Sequence, residues 1–211
     1  MKGSLHPMTE AALSQAARVV HDGGVIAFPT ETFYGLGVTP CDAAAVQRLF
    51  ALKGRSPASS PILVLIRHRQ DLESLTSEIS PSAELLMKAC WPGPLTIVFR
   101  ASSRVPPLLT AGTGTIGVRL SAAASLQWLL DAVDGPLTGT SANRSGALPA
   151  VTAEDVQASL GVDVDLILNG GRTPGGFAST VVDTTVTPVR LIREGALSRS
   201  AVLAVLGTLA A

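Results

Sequence analysis

Phe28-Pro29-Thr30-Glu31-Thr32-Phe33-Tyr34-Gly35-Leu36-Gly37 is the stretch on which the reading of this chain turns. It follows the apolar run Val25 to Phe28, which reads as a buried strand, and it leads through an extended piece, Phe33 to Val38, toward a helix that ends at Lys53-Gly54-Arg55. Pro29 to Thr32 is left as a loop rich in hydroxyls, the composition of a reactive edge. Working outward, the upstream helix is capped by Thr9 and carries Leu13, Ala16, Ala17 and Val20 at helical spacing, with Gly23-Gly24 as its stop. Downstream, Asp42 caps a helix with Val46, Leu49 and Phe50 on one face.

The remaining chain alternates in the same way. Strands are expected at Ile62 to Ile66, Leu95 to Arg100, Thr115 to Leu120, Leu137 to Thr140, Asp165 to Leu168, Val181 to Asp183 and Val189 to Ile192. Helices are expected from Ser80-Pro81 to Ala89, from Ala122 to Ala132, from the Thr152/Asp155 capping box to Leu160, and over Ser198 to Ala211. Trp91-Pro92-Gly93-Pro94 is a rigid turn. Interleaved helices and strands call for a three-layer mixed α/β (α+β) fold, a twisted mixed sheet with helices on its faces. Without repeats or linkers, residues 1–211 read as one domain with a core of about 9–197.

Composition narrows the function. Sixteen basic and 16 acidic side chains leave the chain neutral, so no global field draws it to nucleic acid or membrane. The chain is 46% hydrophobic, yet no run approaches the roughly 18 apolar residues of a membrane span, and the N-terminus lacks an apolar signal region. Cys41 and Cys90 form neither a C-x-x-C nor a disulfide framework, which suits a reducing cytoplasm. His6 in a tail, His21 at a helix end and His68 in a turn have no metal-ligand spacing, and no metal-ligating residues are assigned.

Several motifs fail on context. Gly112-Thr113-Gly114-Thr115-Ile116-Gly117 spells the dinucleotide fingerprint but runs into a strand instead of opening a helix. Ser141-Ala142-Asn143 lacks the S-x-x-K that acyl-serine enzymes require. What remains is a set of cations and hydroxyls at element ends: Lys53, Arg55, Arg119 and Arg193, with Thr30, Thr32, Thr115, Ser141, Ser145, Ser179 and Thr180. Arg119 stands inside an apolar strand, where a charge needs a partner; a carboxylate such as Asp183 is one candidate, an anionic substrate the other. The set suits charge-stabilised chemistry on an anion, such as nucleotidyl transfer.

At these residues the chain resembles the YrdC/TsaC family of threonylcarbamoyl-AMP synthases. Four motifs carry the likeness: Pro29 to Gly37 with Lys53-Gly54-Arg55; Trp91 to Thr96; Val118-Arg119 with Ser141 to Gly146; and Ser179 to Asp183 before Arg193. The resemblance implies a YrdC/RibB-like fold with a positively lined cleft. It also implies synthesis of threonylcarbamoyl-AMP and pyrophosphate from L-threonine, bicarbonate and ATP, with Mg²⁺ accompanying the ATP. The product would pass to tRNA threonylcarbamoyl-transfer proteins for anticodon-loop modification, with a capacity for weak tRNA or double-stranded RNA binding. By motif position, Lys53 and Arg55 are the catalytic cations, and Lys53, Arg55, Ser60, Thr115, Ser141, Asn143 and Arg193 form the ATP site. Thr32, Arg119 and Ser179 bind L-threonine, and the Trp91 to Pro94 turn is structural.

The chain departs from the family pattern at Ser56 to Pro61, which lacks the usual Asp-Asn pair, at Leu65 where relatives carry histidine, and at Glu194 in place of proline. It also stops soon after Arg193, implying that the extra C-terminal domain of longer relatives is absent. The competing reading is an RNA-binding module of the same fold without ATP chemistry. Carbamoyl-adenylate formation, as in hydrogenase-maturation proteins, is disfavoured by the few cysteines and short length.

Overall fold

The structure is a computed structural model and describes residues 3–54 and 61–207. Ten strands form one open mixed sheet. They are β1 (Ser4–Pro7), β2 (Ile26–Pro29), β3 (Tyr34–Gly37), β4 (Leu63–Ile66), β5 (Leu95–Arg100), β6 (Thr115–Leu120), β7 (Leu137–Ser141), β8 (Leu166–Asn169), β9 (Thr180–Asp183) and β10 (Arg190–Arg193). Their spatial order is β1-β8-β2-β3-β7-β4-β6-β5-β9-β10. The pairs β1·β8, β2·β8, β4·β6 and β5·β9 are parallel and the others antiparallel.

Helices cover both faces, giving the expected three layers. On one side α1 (Glu10–His21) packs on α5 (Ala124–Val133), burying Ala16, Ala17, Val20, Leu126, Leu129 and Leu130 against Phe28, Leu65 and Leu137 of the sheet. On the other lie α2 (Ala43–Lys53), α3 (Leu72–Leu75), α4 (Pro81–Cys90), α6 (Ala153–Leu160) and α7 (Arg199–Leu206). Their Leu49, Phe50, Leu86, Val156 and Val202 join Leu36, Val64, Ile97 and Val118 in the larger core. No described helix is long and apolar enough to cross a membrane.

The caps follow the sequence. Thr9, Asp42, Ser80, Thr152 and Ser198 each accept from a first-turn amide. Gly54, at φ +62°, ends α2 in the left-handed conformation that glycine adopts at least cost. Two expectations need correction at the N-terminus and at residues 72–75. His6 is not in a tail: it lies on β1, held beside β8 by parallel pairing, and Ser4 Oγ is 2.8 Å from its Nε2. The short α3 was not anticipated. The predicted C-terminal helix is described as Arg199–Leu206, and 208–211 lie outside the described residues.

The hairpin made by β2 and β3 is the hinge of the architecture, because its loop must come close to two other segments. Tyr34, the single tyrosine, is fully buried; burial raises its pKa, and the protonated hydroxyl donates to Gly171 O at 2.7 Å while accepting from Gly170 N at 3.3 Å. It thereby ties β3 to the glycine-rich segment after β8. Tyr34→Phe keeps the ring but removes this tie, and is expected to lower the unfolding free energy by about 1 kcal/mol. Urea denaturation reads this as a lower midpoint at unchanged slope; an unmoved midpoint would show that the tie carries no stability.

Candidate active site

Above the middle of the sheet opens a cleft of about 910 Å³ whose lining comes from β3, β4, β5, β6, β7, β9 and β10. Glycines keep its floor low. A Cβ on Gly139 would meet Leu63 and Leu65 side chains at 2.8 Å, and one on Gly117 would meet Thr96 Cγ2 at 3.1 Å. Six of the residues assigned by motif position line this cleft together, Thr32, Thr115, Arg119, Ser141, Ser179 and Arg193, and the candidate hydroxyl of Thr30 joins them. The motifs they come from lie far apart in sequence. Strand pairing brings them together.

Arg119 is 4% exposed and projects from β6. Its Nε donates to Gly93 O at 3.1 Å, and its Nη2 forms an ion pair with Glu31 Oε1. A structural carboxylate does meet Arg119, but it is Glu31 and not the candidate Asp183, which lies at the end of β9 and pairs with Arg190 Nη2 at 2.8 Å. Register explains the difference, because β5 stands between β6 and β9 and separates the two side chains. Burial alone would raise the Asp183 pKa, but hydrogen bonds from Thr185 and Arg190 outweigh it and hold the carboxyl below its ordinary value.

The Glu31 carboxylate also accepts from Ser121 Oγ, and more distantly from Ala122 N at 3.4 Å. The loop that carries it is fixed by its own hydroxyls. Thr30 Oγ1 donates to Phe33 O at 2.7 Å and accepts from Thr32 N at 3.1 Å, while Gly175 N donates to Thr32 O at 2.7 Å. Thr32 Oγ1 stays at the cleft, 3.1 Å from Thr30 Oγ1.

Arg193 is fixed differently. Its Nε and Nη2 donate to Ser179 O at 3.2 and 2.9 Å, and Ser179 Oγ lies 2.9 Å from Thr96 Oγ1. Desolvation, and then the nearby charge of Arg119, lower the Arg193 pKa. Among the described residues no carboxylate pairs with Arg193 within ion-pair distance. Glu194 accepts from Arg199 N at 2.9 Å and so serves the start of α7. Gly195 runs hard against the Ser179 segment, where an added Cβ would fall 2.1 Å from Ala178 O.

Two predicted residues lie beneath the cleft. Lys53 is 2% exposed and donates to Ser141 O at 2.6 Å and Asn143 O at 2.8 Å, clamping the end of β7. The Asn143 amide donates to Arg144 O and Ala147 O, folding the loop on itself. Neither side chain lines the cleft. Arg55 and Ser60, and most of the altered Ser56 to Pro61 segment, lie outside the described residues. Leu65 is buried and contributes to the floor.

Sequence reasoning missed Tyr34, Thr96, Asp183 and Arg190 as cleft residues. It treated the Trp91 to Pro94 turn as structural, which is correct, but its use is specific: Gly93 O holds Arg119, and Gly93 N is bonded to Leu120 O at 2.8 Å. Among the described residues no three His, Cys, Asp or Glu side chains converge as a metal site.

Comparison with known proteins agrees with this geometry. The Sua5/YciO/YrdC family model, described as "Telomere recombination", matches residues 18–195. Threonylcarbamoyl-AMP synthase of Pyrococcus abyssi is 40% identical over 192 residues, covering 91% of this chain and 56% of the relative, so the chain spans little more than half of that protein. The corresponding synthase of Halorhodospira halophila is 38% identical over 184 residues, covering 87% of this chain and 92% of its own length. The crystal structure of P. abyssi Sua5 complexed with L-threonine superposes with a TM-score of 0.93 at 37% identity, covering 98% of this chain and 62% of that one. With the family model matched over residues 18–195 and these relatives alike in sequence and fold, the chain belongs to the Sua5/YciO/YrdC family.

Proposed function

We propose that this protein is a threonylcarbamoyl-AMP synthase, joining L-threonine, bicarbonate and ATP into threonylcarbamoyl-AMP with release of pyrophosphate. The observation that carries the reading is the pairing of two differently held arginines, Arg119 and Arg193, over one hydroxyl-lined cleft in a chain with synthase relatives. Threonine needs one fixed cation for its carboxylate, and the triphosphate needs another for the charge that moves.

In this scheme the threonine amine adds to bicarbonate, losing water, to give an N-carboxylate. One of its oxygens attacks the α-phosphorus, and the bond to the bridging oxygen of the β-phosphate breaks. Arg119 fixes the amino acid's carboxylate, and Thr32 and Ser179 face its other polar groups. Arg193 neutralises phosphate, with Thr115 and Ser141 toward the nucleotide. Lys53 acts on Ser141 through the backbone it clamps, together with Asn143, in place of the direct phosphate contact expected from the motif. Arg55 and Ser60 keep their assignment to phosphate by motif position. Mg²⁺ enters with ATP as part of the substrate.

The product is a mixed anhydride, reactive enough to be handed to tRNA threonylcarbamoyl-transfer proteins, with the chain acting in the cytoplasm. Direct tRNA or double-stranded RNA binding would be weak, given the neutral net charge. Purified protein should release pyrophosphate from ATP only when both L-threonine and bicarbonate are present. No release alongside an active control would overturn the synthase reading and leave an RNA-binding module of this fold.

The two arginines should separate kinetically. Arg119→Lys keeps the charge against Glu31 but loses the fork, so the KM for threonine should rise about 10- to 100-fold with the KM for ATP within about twofold. Arg193→Lys should do the reverse. Parallel changes for both substrates in both variants would refute the division of roles.

A further inference from the structure

The carboxylate that already occupies Arg119 has a consequence for any carboxylate that must bind there. Arg119 has five N–H donors. Nε is taken by Gly93 O, and none of the described residues accepts from Nη1. Nη2 is buried and touches Glu31 Oε1 in an ion pair, yet has no well-aligned hydrogen-bond acceptor. The contact supplies charge without the parallel fork geometry of a strong arginine–carboxylate pair. Glu31 keeps about a fifth of its side chain exposed, whereas Arg119 is almost wholly enclosed. The loop beneath Glu31 is closed by Thr30 and by Gly175, independently of the carboxylate. The side chain can therefore swing away without unfolding its support.

We infer that Glu31 occupies the place on Arg119 that the substrate carboxylate takes, and is exchanged for that carboxylate on binding. The inference rests on the reading that Arg119 receives the amino acid's carboxylate. Two full negative charges on one buried guanidinium repel, so the incoming group must displace Glu31 rather than join it. With one carboxylate exchanged for another, Arg119 is never left a bare buried cation, which would be costly. Threonine affinity is set by the difference between two carboxylates, with Ser121 Oγ as the tether that holds the internal one in place. Glu31 is thus a positioning and affinity-setting residue of the amino-acid subsite.

The test is calorimetric titration of the full chain with L-threonine and with L-threoninamide, which lacks the carboxylate. Wild-type protein should bind threonine and not the amide. Glu31→Gln should be less stable when empty and should bind threonine at least about tenfold more tightly, because the competitor's charge is gone. A merely structural role would lower stability and leave threonine affinity unchanged or weaker, which would overturn the exchange. Should Glu31→Gln not fold, Ser121→Ala retains both charges and removes the tether, together with the Oγ acceptor of Ala123 N. About threefold tighter binding is expected from it, and unchanged or weaker binding would likewise overturn the inference. Wild-type protein that binds no threonine would instead overturn the reading of Arg119 on which the exchange depends.

Discussion

A guanidinium buried to 4% exposure on a central strand is the constraint around which the rest of this molecule is arranged. Arg119 cannot be left without acceptors, since an uncompensated buried charge costs several kcal/mol. Two remote segments meet that need. The turn after α4 brings Gly93 O to Nε, and its Gly93 N is bonded back to Leu120 O beside Arg119. The β2–β3 loop brings Glu31 from the other side, with Ser121 completing the carboxylate's shell. Strand order sets the meeting: β6 lies beside β4 and β5, while the hairpin loop reaches it from across β7 and β4.

The second arginine is built on the opposite principle. Arg193 takes backbone and hydroxyl acceptors from Ser179 and pairs with no described carboxylate, while feeling the charge of Arg119. One cation arrives compensated and the other does not, so the cleft carries a local positive charge in a protein of zero net charge. Close backbone approach makes this compact. Gly195 presses on the Ser179 segment, and Gly117 and Gly139 keep the floor free of side chains. Hydroxyls supply polarity without bulk.

Much of this was legible in the sequence because the signals are local. The caps Thr9, Asp42, Ser80 and Thr152, the apolar strands and the stop at Gly54 were read from spacing alone, and the mixed three-layer sheet follows from their alternation. β1 was missed because Ser4-Leu5-His6-Pro7 is too short and too polar to signal a strand; it exists only because β8 offers a parallel edge. The motif residues at the cleft were identified, but their partners were not. That Glu31 and not Asp183 meets Arg119 depends on strand order, which spacing along the chain does not encode. Lys53 is assigned to phosphate by its place in the Lys53-Gly54-Arg55 motif, whereas its burial against two carbonyls of the β7 loop is a tertiary fact that the motif does not encode.

The most direct test of this account is a crystal structure of the protein grown with L-threonine. The account predicts the threonine carboxylate on the Nη1 and Nη2 face of Arg119, with Thr32 and Ser179 around the rest of the molecule and Glu31 turned away. Threonine bound elsewhere in the cleft, with the Glu31–Arg119 pair intact, would contradict it.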